Sequence, residues 1–209
     1  MDYNAIIALA LAYSDRAGDT EAVANMDNFL LIVEARANRA FRVGDMSARA
    51  TIDLTLAATD QEYFGLPTDF GGLRDLEYND GGGSRATFHY ISPEQMNSYH
   101  TDNKTGTLLY YTLIANQLHI YPVSSGVGTL EIVYYQRVPA LTSLATTNWL
   151  GDDNPDCYTF GLITEINAFV KDKEASALWD ARFKESLAEI DQDDASERWS
   201  GTSLQTRAG

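Results

Sequence analysis

Residues 25–42 read Asn-Met-Asp-Asn-Phe-Leu-Leu-Ile-Val-Glu-Ala-Arg-Ala-Asn-Arg-Ala-Phe-Arg, and residues 51–56 read Thr-Ile-Asp-Leu-Thr-Leu. The change of period between these two stretches decides the fold class. In the first, Phe29, Ile32, Val33, Ala37, Ala40 and Phe41 fall on one face of a helix that closes near Gly44. Glu34, Arg36 and Arg39 are directed elsewhere on it. In the second, Ile52, Leu54 and Leu56 alternate with Thr51, Asp53 and Thr55, the pattern of a half-buried strand.

Upstream of the first stretch, Ala5, Ile6, Leu9 and Tyr13 recur at helical spacing and the segment runs out near Gly18. Downstream of the second, strands are expected at Leu73–Tyr78, Ala86–Ile91, Leu108–Ile114, Gln117–Tyr121 and Thr129–Arg137. Turn chemistry separates them at Gly81-Gly82-Gly83, Ala115-Asn116 and Ser125-Gly126-Val127-Gly128. Ser92-Pro93-Glu94-Gln95 carries a cap, a proline at the first helical position and a capping-box Gln, so a short helix runs to about Tyr99. Asn154-Pro155 repeats the cap-then-proline start. Leu162, Ile166, Phe169 and Val170 give that helix an apolar face. A last helix after Lys171-Asp172 carries Trp179, Phe183, Leu187 and Ile190.

The expectation is therefore an α+β chain. N-terminal helices occupy 1–48, and an antiparallel β-rich insertion with one short helix occupies 49–147. C-terminal helices over 148–198 complete a bundle with the first ones, and 199–209 form an extended tail.

Composition bounds the function. The 209 residues are 44% hydrophobic, enough for a real core, and the net charge is −15. A surface this acidic repels phosphate backbones, so tight nucleic-acid binding is not expected. One cysteine, Cys157, excludes an intrachain disulfide and suits a reducing cytoplasm. Met1-Asp2-Tyr3-Asn4 does not open like a signal peptide, and no apolar run is long enough for a membrane span.

No catalytic, metal or cofactor site is expected. His89, His100 and His119 lack ligand spacing with one another or with Cys157. Cys157, in the first turn of its helix, would have its thiol pKa lowered somewhat, but a bystander thiol is the plainer reading. The Gly81–Gly83 run is followed by a strand pattern, which suits a hairpin tip and not a phosphate cradle. Asp152, Asp153, Asn154 and Asp156 resemble part of a calcium loop but lack its spaced Gly and terminal Glu. Paired aromatics remain. In Tyr110-Tyr111 and Tyr134-Tyr135 the two rings of each pair point to opposite faces of their strand. Core explains one ring of each pair. A neighbouring subunit or a sheet covered on both faces explains the other.

Several short stretches, in this order, resemble phage head-to-tail adaptor (connector or gatekeeper) proteins of short-tailed phages. They are Asn25–Arg42, Tyr63–Phe70 (a Leu-Pro-x-Asp-Phe element), Ser92–Met96, Val133–Leu141, Asn148–Leu150 with Pro155–Tyr158, and Arg198–Gly201. The segment before Asn25 lacks a clear counterpart, and Gly71-Gly72 departs from the pattern. The resemblance implies a non-enzymatic virion protein, made in the host cytoplasm and located in the neck. It implies a homo-oligomeric ring of twelve copies docked on the portal protein, extending the DNA channel for ejection and carrying nozzle or tail-fibre proteins. It further implies that roughly Asp191–Gly209 reaches the portal, with Arg198, Trp199, Leu204 and Arg207 as contacts; Tyr110, Tyr111, Tyr134 and Tyr135 are the candidates for subunit or tail interfaces. A tail-tube or tail-completion protein, or a carbohydrate-binding β module, are the rival readings.

Overall fold

The computed structural model describes residues 1–56, 61–99, 110–122 and 126–199. The fold is mixed α+β, and the chain divides into two units: residues 1–46 with 138–209, and residues 47–137.

The first unit is helical. Helix α1 (Tyr3–Tyr13) starts where Asp2 accepts a hydrogen bond from the Ala5 amide at 2.8 Å, and it buries Ile6, Ala10 and Leu11. Asp19 caps the short α2 (Thr20–Ala24) by accepting from Glu21 and Ala22. Helix α3 (Met26–Ala40) buries Met26, Phe29, Leu30, Val33, Glu34 and Ala37. The buried stripe is thus rotated from the expected one. At 3.6 residues per turn it centres on Val33 and Ala37, which brings Glu34 inside and leaves Ile32 43% exposed on the opposite margin.

Helix α5 (Trp149–Asp153) is capped by Asn148, whose side-chain oxygen accepts from the Gly151 amide at 2.8 Å. Helix α6 (Pro155–Phe169) follows at once. Asn154 makes no side-chain cap there, because its own amide closes α5 by donating to Leu150. The expected cap is therefore corrected: the capping asparagine is Asn148, and Asn154 is the junction. Helix α6 is buried on most sides, packing against α1, α3, α5 and α7 (Lys173–Trp199). Its buried Thr159, Thr164 and Asn167 donate to the carbonyls four residues back, which satisfies them without outside partners. Gly161 is where α6 meets its neighbours most closely: a Cβ there would stand 2.7 Å from a Val33 methyl.

Among the described residues, the second unit holds two four-stranded sheets. The first has the order β1 (Ser47–Asp53), β8 (Thr129–Gln136), β3 (Phe70–Asn79), β4 (Arg85–Thr87), all antiparallel. The second has the order β2 (Tyr63–Gly65), β7 (Gln117–Tyr121), β6 (Tyr110–Ile114), β5 (His89–Tyr90). Their inner faces share one core, to which Leu76, Leu130, Ile132 and Tyr134 come from one sheet and Phe64, Leu118 and Ile120 from the other.

Three expectations change here. The strand at 51–56 starts earlier and ends at Asp53, whose carboxylate accepts from the Thr55 amide and hydroxyl and turns Leu54–Leu56 into a 3₁₀ turn. The strand at 86–91 is two strands. Phe88 is buried between them, and the chain passes there from the first sheet to the second. As a result β5 lies parallel to β6, with α4 (Pro93–Tyr99) on the path between them, so the second sheet is mixed and not purely antiparallel. The Gly71-Gly72 departure is a β-bulge: a Cβ on Gly71 would stand 2.9 Å from the Tyr135 carbonyl oxygen.

Candidate assembly surfaces

The tyrosine pairs divide by the alternation of their strands. Tyr134 points into the core, 5% exposed, its hydroxyl donating to Asp69 at 3.0 Å and its ring stacked on Phe70. It is therefore removed from the interface candidates. Tyr135 lies on the other face, half-buried, with the Arg74 guanidinium 5.2 Å from its ring centre. Tyr111 packs against the core beside Phe88 and Tyr90. Tyr110 faces outward under Tyr99 of α4, the two rings stacked at 5.4 Å. Tyr90 and Tyr99 are 60% and 46% exposed, more open than the four tyrosines the sequence singled out, of which Tyr134 is buried and the other three are half-buried.

The outer face of the first sheet is ionic. Glu131, central on β8, pairs with Arg49 of β1 at 2.7 Å and Arg85 of β4 at 3.2 Å, and Arg85 also reaches Glu77 at 2.8 Å. The Asn79 amide, then Arg49 and Arg85, hold the Glu131 carboxyl below its ordinary range. This row spans the sheet from edge to edge.

In the helical unit, Trp179 of α7 lies between Tyr13 of α1 and Phe160 of α6, with Arg182 over its ring at 4.9 Å. Tyr13 and Leu178 are 61% and 58% exposed beside it. A further apolar point is Leu144, 98% exposed at the tip of a turn that Thr142 ties by accepting from the amides of Leu144 and Ala145.

Glu34 and Arg36 turn out to be a structural lock. The Glu34 Oε1 accepts from the Leu141 amide at 2.7 Å and from the Tyr158 hydroxyl at 3.0 Å. Asn148 donates to the Tyr158 oxygen at 2.8 Å and to the Pro139 carbonyl. Burial raises the Glu34 pKa, against the lowering effect of its two donors. Two residues further along α3, Arg36 bridges Glu165 at 3.2 Å and Asp180, and lies over the Phe183 ring at 4.5 Å. The Glu34 partners lie more than a hundred residues along the chain, so no local pattern signals them.

Cavities are modest. One of about 500 Å³ lies among Arg36, Thr164, Ala168, Lys171, Ser176 and Ala177. Another, of about 360 Å³, is lined by Asp45, Asp153, Asp193, Asp194 and Glu197. Among the described residues no group of three His, Cys, Asp or Glu side chains is placed to hold a metal ion. Cys157 is fully buried and its thiol is pushed up to about 12 by burial and by Asp156, the reverse of the lowering expected at a helix start. His119 is buried against Tyr63, with ring centres 4.2 Å apart, and His89 is exposed. Among the described residues no helix is long and apolar enough to cross a membrane.

Of the C-terminal candidates, Arg198 and Trp199 form the last residues of α7, whereas Leu204 and Arg207 lie outside the described residues, as does His100. A family model described as SU10 adaptor protein matches residues 1–207. A search of curated proteins returned no match.

Proposed function

The chain belongs to the SU10 adaptor protein family and is thus a phage adaptor protein; from that premise we propose that it is a non-catalytic structural protein that closes into a ring, docks on the portal and carries the tail. The observation that carries this reading is the family match over nearly the whole chain. The helices at residues 1–46 and 138–199 then act together as one bundle, and the β unit is an insertion in it. The ring is heterologous and closes by rotation, twelve copies around the DNA channel. The segment from Asp191 to Gly209, with Arg198, Trp199, Leu204 and Arg207, reaches the portal, where Trp199 is the anchor. Tyr110 and Tyr135, the rings directed away from the core, remain subunit or tail contacts.

The charge of −15 supports passage of DNA without phosphate contacts. Burial of Cys157 supports a role without a reaction centre.

Mixing the protein with a purified portal ring tests the proposal. Native mass spectrometry and electron microscopy should show a particle of portal plus adaptor with the symmetry of twelve copies. A chain that stays monomeric beside portal rings refutes it. A chain lacking residues 199–209 should keep its circular dichroism and lose portal docking in a pull-down; undiminished docking would remove the tail from the contact.

A further inference from the structure

The first sheet ends, among the described residues, in two open edges, β1 and β4. Its strands alternate in direction, so β1 and β4 run opposite ways. If β4 of one copy is laid beside β1 of the next, the antiparallel ladder continues with no strand reversed. That repeat is head to tail, the kind a closed ring requires. The second sheet differs: among the described residues β5 is parallel to β6, so a head-to-tail repeat would set β5 parallel to the next β2.

Both edges of the first sheet are unfinished on the core side. Ile52 of β1 packs against the core and is only half-buried, and so is Ala86 of β4, which lies opposite Tyr78. Neither strand carries a proline, and the bulges lie on β3, so the edges lack two common protections against pairing.

The pleat limits the register to steps of two. With Arg85 opposite Asp53, Ala86 meets Ile52 on the core face and Thr87 meets Thr51 on the outer face. All three pairs are of favourable kinds: opposite charges, apolar with apolar, threonine with threonine. One step along, Arg85 meets Thr51 and the charge pair is lost. Two steps along, Arg85 meets Arg49, and like charges stand opposed. Arg85 and Asp53 are both exposed in the single chain.

We propose that β4 of one copy adds to β1 of the next in this register, so that Arg85 of one copy pairs with Asp53 of its neighbour and the sheet runs on from copy to copy. The partner is a second copy of this chain, and the proposal rests on the ring reading above.

Charge reversal tests it. Asp53→Arg and Arg85→Asp each place like charges across the junction. Each alone should raise the concentration at which the ring dissociates at least about tenfold. Equimolar mixing of the two variants should restore the ring, because every junction of an alternating ring then holds one arginine and one aspartate. Native mass spectrometry reads the alternation directly, and circular dichroism checks that each variant is folded. A second readout is disulfide capture in Thr51→Cys/Thr87→Cys, which should give a ladder of linked oligomers, since Cys157 is buried and silent.

Single variants that form rings as well as the wild type overturn the pairing and leave the ring intact. Folded variants whose mixture stays dissociated overturn it too, as does a twofold dimer linked β1 to β1. A wild type that stays monomeric with and without portal overturns the ring reading itself, and the pairing with it.

Discussion

Replacing Glu34 by alanine removes the acceptor of two buried donors at once, the Leu141 amide and the Tyr158 hydroxyl. A donor left buried without a partner costs about 1–3 kcal/mol. Part of that is offset, because the carboxyl was itself costly to bury, as its raised pKa shows. The expected net loss is about 2–4 kcal/mol. Glu34→Gln keeps an oxygen at the same reach and should lose less than about 1 kcal/mol at neutral pH. The two variants also differ in pH response. A carboxyl whose folded pKa is raised stabilises fully below its ordinary value, and that contribution is lost as pH rises through the folded value. The stability of the wild type relative to Glu34→Gln should therefore fall from the ordinary carboxylate range upward. Urea unfolding followed by tryptophan fluorescence, repeated at mildly acid and mildly alkaline pH, measures all of this. Glu34→Ala within about 0.5 kcal/mol of the wild type, or Glu34→Gln falling as far as alanine, would refute the lock.

Other outcomes are expected. Gly161→Ala should lower the melting temperature although alanine favours a helix by about 1 kcal/mol, because crowding against Val33 and Phe183 costs about 1–3 kcal/mol. Adding Val33→Ala should then remove most of the Gly161→Ala effect, and a rise in melting temperature for Gly161→Ala alone counts against the close approach. Lys171 ends α6 at φ +65°, so Lys171→Gly should raise the urea midpoint by up to about 1 kcal/mol equivalent; no change would show the left-handed residue is unstrained. Cys157 should react with a thiol reagent only as fast as the helical unit unfolds, and prompt reaction in native buffer would contradict its burial.

What the sequence made legible follows a physical line. Ser92 and Gln95 exchange the two hydrogen bonds of the capping box, each at 3.3 Å, because all four residues involved are contiguous. The strand Gln117–Tyr121 and its hairpin from β6 were readable for the same reason. The mixed α+β class came from the change of period. Long-range partners were not readable. Glu34 looked solvent-facing because its acceptor role is set by Leu141 and Tyr158. The alternation separated Tyr134 from Tyr135, but which of them is inner depends on where the second sheet packs. Phe88 interrupts an unbroken β pattern because the core is formed between two sheets, and no local signal marks the crossing.

The route of the chain has a consequence during synthesis. Helices α1 and α3 bury Ile6 and Val33 in a unit whose central helix α6 begins at Pro155. At about 5–20 residues per second, the ribosome delivers α6 on the order of ten seconds after α3. The β unit, continuous from 47 to 137, has all its strands before that moment. Residues 1–46 must therefore wait, apolar stripe uncovered, while the sheets fold beside the ribosome. The net negative charge of the chain opposes association of such uncovered faces with one another in that interval.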